Sequence, residues 1–344
     1  MVKKTVNVGG LTLGSGNIYI QSMLNAPAHD VEANVKQAVA LEKAGCEIIR
    51  AAVPTIDDVR LIPAIKAAVK IPLVADIHFD YKIALACVEA GVDKVRINPG
   101  NIGSADKVRA VADACSERGI PIRIGVNSGS LEKELLQKYG SPTAEALVES
   151  AARHIGLLND CNFDDIVISI KSSDVRLMIS AYRLFAEKYS YPLHLGVTEA
   201  GTERMGMIKS AVGIGSLLCD GIGDTIRVSL TADPVREVYA AKDILKSCGI
   251  GGGVEIVSCP TCGRTKIDLI GLAERVEELC RDIDKDIKIA VMGCAVNGPG
   301  EAREADLGIA GGDGVGLIFK KGEILRKVPE DMLLPELKKE IELL

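Results

Sequence analysis

The chain has 344 residues, 47% of them hydrophobic but only 3% aromatic, and a formal net charge of −6. That length exceeds the ~250–300 residues at which single cores stop growing, so two domains with Val, Ile, Leu and Ala cores are expected. The acidic balance excludes a general nucleic-acid binder, which needs a basic face, and no apolar run reaches the roughly 18 residues of a membrane helix. The start of the chain lacks an apolar signal core, so no membrane partner and a cytoplasmic location are expected.

The opening VNVGGLTLG reads as a hairpin. From residue 18 to 247 one pattern recurs: a short β-branched run, a polar or Gly-containing loop, then a segment of helical period. The runs are IYIQSM (18–23), IIRAAV (48–53), IPLVADIHF (71–79), KVRINPG (94–100), PIRIGVN (121–127), DIVISIKS (165–172), PLHLGVT (192–198) and TIRVSL (225–230). Eight such units predict an N-terminal (β/α)8 TIM-type barrel, α/β in class, with the hairpin closing its bottom. An open doubly wound sheet is the alternative. It normally carries a glycine-rich phosphate loop after its first strand, and MLNAPAHD has none.

At Gly249, Gly251, Gly252 and Gly253 the pattern changes. VEIVSCPTCGR, a helix near 268–284, IKIAVMGCAVNGPGE, two or three short strands and a last helix predict a small α+β domain. The expected division is a substrate-binding barrel over 1–247 and an iron–sulfur domain over 248–344.

Parallel barrel strands are buried on both faces and should read as unbroken Val, Ile and Leu. Arg50, Asp76, Arg96, Arg123, Lys171 and Arg227 interrupt them, and a lone buried charge is costly. Strand side chains alternate between faces. Asp76 therefore shares a face with His78, Arg96 with Asn98, Arg123 with Asn127, Lys171 with Ser169, His194 with Thr198, and Arg227 with Ser229. Each group falls near the C-terminal end of its strand, where barrel enzymes build active sites. Arg pairs bidentately with phosphate oxygens and Lys acts as a point charge, so a small molecule with more than one phosphate is the expected ligand. The competing reading has these bases neutralised by Asp76, Glu199 and other barrel acids. His29 and His154 read as surface or helix residues.

Ten cysteines in such a chain are not a disulfide set. Cys46, Cys87, Cys115, Cys161, Cys219, Cys248 and Cys280 stand singly and read as small buried hydrophobes. Cys259 and Cys262 form a CxxC loop between a strand and a helix, and Cys294 lies in a second, Gly-rich loop. Glycines there let backbone approach a bulky cofactor. A closed zinc site needs four Cys or His ligands; no His follows His194, and Cys280 reads as core. Cubane clusters prefer four thiolates, so three leave one iron for another donor, and Glu301 is the nearest hard one. Spacing favours an iron–sulfur cluster, with zinc or no metal as the alternatives.

The stretches SCPTCGR (258–264), GCAVNGPGE (293–301), VADIHFD (74–80), KVRINPGNIG (94–103), RIGVNSGSL (123–131), LGVTEAG (195–201) and GIGDTIRVSLT (221–231) carry a resemblance over nearly the whole chain. The chain resembles the 4-hydroxy-3-methylbut-2-en-1-yl diphosphate synthase family of the non-mevalonate isoprenoid pathway, in its short two-domain bacterial form. The resemblance implies a [4Fe–4S] cluster on Cys259, Cys262, Cys294 and Glu301. It implies an oxidoreductase that opens 2-C-methyl-D-erythritol 2,4-cyclodiphosphate with two electrons and loss of water. Arg50, Arg96, Asn98, Arg123, Asn127, Lys171, Arg227 and Ser229 become substrate contacts, with Asp76 and His78 in the same pocket. Glu199 becomes the catalytic acid near the reacting carbons, and Glu301 acts on iron. A flavodoxin or ferredoxin is the implied electron donor. One loop departs: Leu24, Ala26 and Ala28 stand where the family is commonly Thr-rich.

The last helix of a barrel runs back to its bottom, so the chain leaves opposite the active site. A head-to-tail homodimer, each cluster domain capping the other chain's barrel, is expected on that ground and from the resemblance.

Overall fold

The structure, a computed structural model, describes residues 3–281, 283, 285–295, 300 and 302–344. It divides into two compact units, Met1–Gly249 and Ile250–Leu344.

The first unit opens with an antiparallel hairpin, β1 (Val6–Val8) and β2 (Leu11–Leu13), turned at Gly9 and Gly10 with positive φ. Eight parallel strands follow: β3 (Tyr19–Met23), β4 (Ile48–Ala52), β5 (Leu73–Asp76), β6 (Lys94–Ile97), β7 (Ile122–Asn127), β8 (Ile166–Lys171), β9 (His194–Leu195) and β10 (Thr225–Ile226). They pair in the order β8-β7-β6-β5-β4-β3-β10-β9. A bridge between Ile168 and Leu193, with Ile168 N–H donating to Pro192 O at 2.9 Å, joins β8 to β9 and closes the ring. This is the predicted (β/α)8 barrel.

Local chemistry starts the helices where the strands end. Asp30, Asp80, Asp174 and Asp233 each accept a first-turn backbone N–H of the helix that follows. Pairing registers place Asp76 beside Arg96 and Arg96 beside Arg123 on adjacent strands. The alternate residues Ile49, Val95, Ile97, Ile122 and Ile124 are fully buried on the opposite face, against the helices. The charged face is therefore the barrel interior. Val167, beside Arg123 on that interior, packs with Val6, Val8 and Leu13, so the hairpin plugs the N-terminal end of the barrel. The closing helix, Pro234–Ser247, runs from mouth to bottom. Glu237 in its first turns meets Arg227, while Lys242 Nζ occupies the space a Cβ on Gly45, just before β4, would need.

The second unit is a five-stranded sheet: β11 (Val254–Ser258), β12 (Ile287–Met292), β13 (Leu307–Ala310), β14 (Val315–Lys320) and β15 (Glu323–Pro329). The first three are parallel and the last two antiparallel. Period-two alternation gives it two apolar faces. Ile289, Val291, Leu307 and Ile309 pack with helices Leu269–Cys280 and Leu333–Glu342; Ala290, Met292, Ala310 and Phe319 pack on the other side with Ala302 and Ala305.

One expectation needs correction. Cys46, Cys87, Cys115 and Cys280 are buried, but Cys161 and Cys248 are half-buried and Cys219 is exposed. Cys219 ends one helix, Cys248 caps another and Cys161 lies in a turn beyond a third; helix ends at the barrel rim meet solvent. Cys219 and Cys248 are neighbours, and burial together with a hydrogen bond to Cys219 raises the Cys248 thiol. His154 is on a helix but buried, because that helix turns it toward the strand-end loops. Among the described residues no helix is long and apolar enough to cross a membrane.

Candidate active site

The interior charges are only partly paired. Arg50 Nη2 donates to Asp76 Oδ2 at 2.5 Å and Arg96 Nη1 to Asp76 Oδ1 at 3.2 Å. Burial pushes Asp76 up, but the charges of Arg50 and Arg96 outweigh it and hold the carboxyl at about 2. Arg227 donates to Glu237 Oε1 at 3.3 Å and Oε2 at 3.4 Å, and Glu237 also accepts from Ser22 Oγ and Leu230 N–H, each at 3.0 Å. Neutralisation among barrel residues thus reaches these three arginines, through Asp76 and Glu237 and not through Glu199.

Arg123, Lys171 and Lys94 have no acidic partner among the described residues, although each is buried. Nε and Nη1 of Arg123 and Nζ of Lys94 find no hydrogen-bond acceptor. Burial and the neighbouring Arg50 and Arg96 push Arg123 down, yet a guanidinium keeps its proton in a protein, so the positive charge stays uncompensated. Lys171 is lowered well below the usual lysine value by burial and by Arg123, Arg227, Arg50 and Arg96. His194 Nδ1 lies 2.8 Å from Thr225 Oγ1; burial and the cations Arg123, Lys171 and Lys94 keep the ring neutral.

Two glycines make room for these side chains. A Cβ on Gly125 would stand 2.7 Å from Arg96 Nε. One on Gly196 would stand 2.7 Å from Arg227 O and 3.1 Å from Lys171 Nζ.

Around the mouth, Asn98, Asn127 and Ser229 are half-buried, and Asn98 Oδ1 accepts the Gly125 N–H at 2.9 Å. His78 is exposed, its Nε2 3.9 Å from Asp76. Glu199 is exposed after β9 with φ of 50°. A non-glycine residue held there carries backbone strain, which gathers at working sites. The divergent loop after β3 is held structurally: Leu24 is buried with its N–H on Arg50 O, and Gln37 bonds Asn25 at 2.8 and 2.7 Å.

Three interior residues escape the sequence reading. Glu237 looks like an ordinary acid in a first helical turn. Lys94 opens a strand, where a lysine reads as solvated. Gln21 sits in an apolar run, and both its amide atoms are buried without partners. Only the strand alternation that grouped the other charges points to Lys94 and Gln21.

In the second unit Cys259 follows β11 and Cys294 lies two residues past β12, the neighbouring parallel strand. Carboxyl ends of parallel strands are where open sheets bind ligands. Gly293 N–H donates to Cys259 Sγ at 3.3 Å, and Lys266 N–H to Gly293 O at 3.1 Å, so the two loops are tied together. The Arg264 backbone N–H lowers the exposed Cys262 thiol, which favours the ligating thiolate. Three soft donors on two joined loops fit an iron–sulfur group in donor type. Among the described residues no three His, Cys, Asp or Glu side chains are gathered closely enough to hold a metal ion. Glu301 lies outside the described residues.

These features define a (β/α)8-barrel protein with a cation-rich interior and a separate thiol-bearing α+β unit. Residues 3–242 match the family model described as the GcpE TIM-barrel domain, and residues 255–343 the GcpE protein C-terminal domain. A Clostridium perfringens protein named 4-hydroxy-3-methylbut-2-en-1-yl diphosphate synthase (flavodoxin) is 60% identical over 341 residues, 98% of each chain. Proteins of the same name from Fusobacterium nucleatum and Geobacillus thermodenitrificans are 59% and 58% identical, covering 98% of this chain and 96% and 91% of theirs. The chain belongs to the GcpE family of 4-hydroxy-3-methylbut-2-en-1-yl diphosphate synthases. Among solved structures, dihydropteroate synthase from Stenotrophomonas maltophilia is similar with a TM-score of 0.53 and 14% identity, over 71% of this chain and 96% of that one. That likeness speaks to the barrel fold alone.

Proposed function

We propose that this chain is an iron–sulfur oxidoreductase that opens 2-C-methyl-D-erythritol 2,4-cyclodiphosphate reductively to 4-hydroxy-3-methylbut-2-en-1-yl diphosphate. The observation that carries the reading is the excess of interior basic groups: the guanidiniums of Arg50, Arg96, Arg123 and Arg227, with Lys94 and Lys171, whose charged forms burial and those arginines disfavour, face only Asp76 and Glu237 among the described residues. A diphosphate supplies the missing negative charge. The names of the relatives support the product and a flavodoxin as electron donor, with a ferredoxin as the other candidate.

Two electrons and two protons enter and one water leaves. A [4Fe–4S] cluster held by Cys259, Cys262, Cys294 and Glu301 would supply the electrons when bound. Arg50, Arg96, Arg123, Lys171 and Arg227 bind the phosphates, with Asn98, Asn127 and Ser229 as neutral partners. Asp76 stays ionised and orients Arg50 and Arg96. His78, near Asp76 and solvent, lines the rim. Glu199, exposed at the end of β9, serves the hydroxyl that leaves as water. We assign substrate binding to 1–247 and the cluster to 248–344. We propose a head-to-tail homodimer, a reading supported by the closing helix, which ends at the bottom of its own barrel.

Metal analysis of anaerobically prepared protein, paired with calorimetry of the cyclic diphosphate, tests the reading. About four iron and four sulfide per chain are expected. Lys171→Ala should weaken binding about 10–100-fold, as loss of a charge-assisted contact does. A colourless zinc protein, or unchanged affinity in the variant, would contradict it.

A further inference from the structure

The helix Ala144–Asn159 stands behind two mouth loops, and its His154 joins them. His154 Nδ1 accepts the Gly100 N–H at 3.2 Å, in the loop after β6. Its Nε2 lies 3.3 Å from Glu132 Oε1, in the loop after β7. A ring nitrogen that accepts a backbone N–H carries no proton, so the imidazole hydrogen is on Nε2 and donates to Glu132. Ser150 Oγ, on the same helix, donates to that Oε1 at 3.0 Å. Burial pushes Glu132 up, but the hydrogen bonds of His154 and Ser150 hold it at about 2, so the acceptor is a carboxylate. The fit is tight, since a Cβ on Gly100 would stand 2.7 Å from His154 Cε1.

Both clamped loops carry a proposed substrate amide at their start. Asn98 precedes the short helix Pro99–Ile102 and bonds Gly125 N–H; Gly125 O in turn accepts from Arg96 Nη2 at 3.5 Å. Asn127 ends β7 and leads to Glu132. A cavity of about 460 Å³ opens between the loops, with Asn98, Asn127, Glu132 and His154 among its walls.

We infer that His154 and Glu132 are a positioning pair: they fix the spacing of the two loops so that Asn98 and Asn127 address one bound diphosphate, without touching it. The inference rests on the proposed substrate. Aspects of it that do not depend on that substrate are read by amide exchange.

The test compares two substitutions in the full, cluster-loaded protein. His154→Asn keeps an acceptor where Nδ1 stands. His154→Gln reaches only the Nε2 position and leaves Gly100 N–H unpaired. His154→Gln is expected to speed exchange across residues 98–103 by about tenfold or more, and to raise KM for the cyclic diphosphate about 10–100-fold with kcat within about threefold. His154→Asn should bring exchange at residues 98–103 back to within about threefold of the native chain but leave KM raised, because it keeps the Gly100 arm and cannot reach Glu132. Gly100→Ala should speed exchange as His154→Gln does, and adding His154→Asn, which removes Cε1, should suppress that faster exchange. Equal exchange at residues 98–103 in the Asn and Gln variants, or a native KM in either, would overturn the pair. A chain that never turns over the cyclic diphosphate would sink the proposed function, while exchange at residues 98–103 would still decide the clamp.

Discussion

A guanidinium inside a barrel is stable only while something negative faces it. Asp76 does this for Arg50 and Arg96, and its carboxyl at about 2 lies below the unfolded value of 3.8. A depressed acid stabilises the fold above the unfolded value, and that stability is lost as pH falls through the folded one. At ~1.36 kcal/mol per unit the contribution is about 2 kcal/mol. Denaturant melts should show this loss between about pH 4 and 2 in the native chain and not in Asp76→Asn. At neutral pH, Asp76→Asn should cost about 3–5 kcal/mol, because two buried guanidiniums lose the acid they share. An unchanged melting curve would contradict this pairing. Arg50, Arg96 and Arg123 were legible in the sequence because each breaks an apolar run. Glu237 was not, since an acid near a helix start is ordinary and only the fold brings it to Arg227.

At the scale of elements, the strands follow from β-branched runs and the helices from their Asp caps. The runs 192–198 and 225–230 shrink to two-residue ladders, β9 and β10. Beyond them the chain carries Gly196, Thr198, Arg227 and Ser229, whose positions serve the mouth more than the sheet. Gly196 is the tightest of these. Gly196→Ala would press a methyl against Arg227 O and Lys171 Nζ, and backbone cannot step aside as a lysine can. A loss of about 1–3 kcal/mol in stability is expected, with weaker diphosphate binding. A native melting temperature and affinity would show that the space is not needed.

At the scale of the molecule, the two-part division is visible in the glycines at 249–253, where the barrel pattern stops. The thiol loops were legible from spacing; their joining through Gly293 and Cys259 was not, because it depends on β11 and β12 being neighbours. The head-to-tail dimer makes its own demand: sedimentation of the cluster-loaded protein should give a dimer, and a fully active monomer would exclude it. Most direct of all is turnover. The anaerobic, iron-loaded chain, given reduced flavodoxin and the cyclic diphosphate, should release the open-chain hydroxymethylbutenyl diphosphate. Recovery of the cyclic diphosphate intact, from protein that binds it and carries its full iron and sulfide, would contradict the proposed reaction.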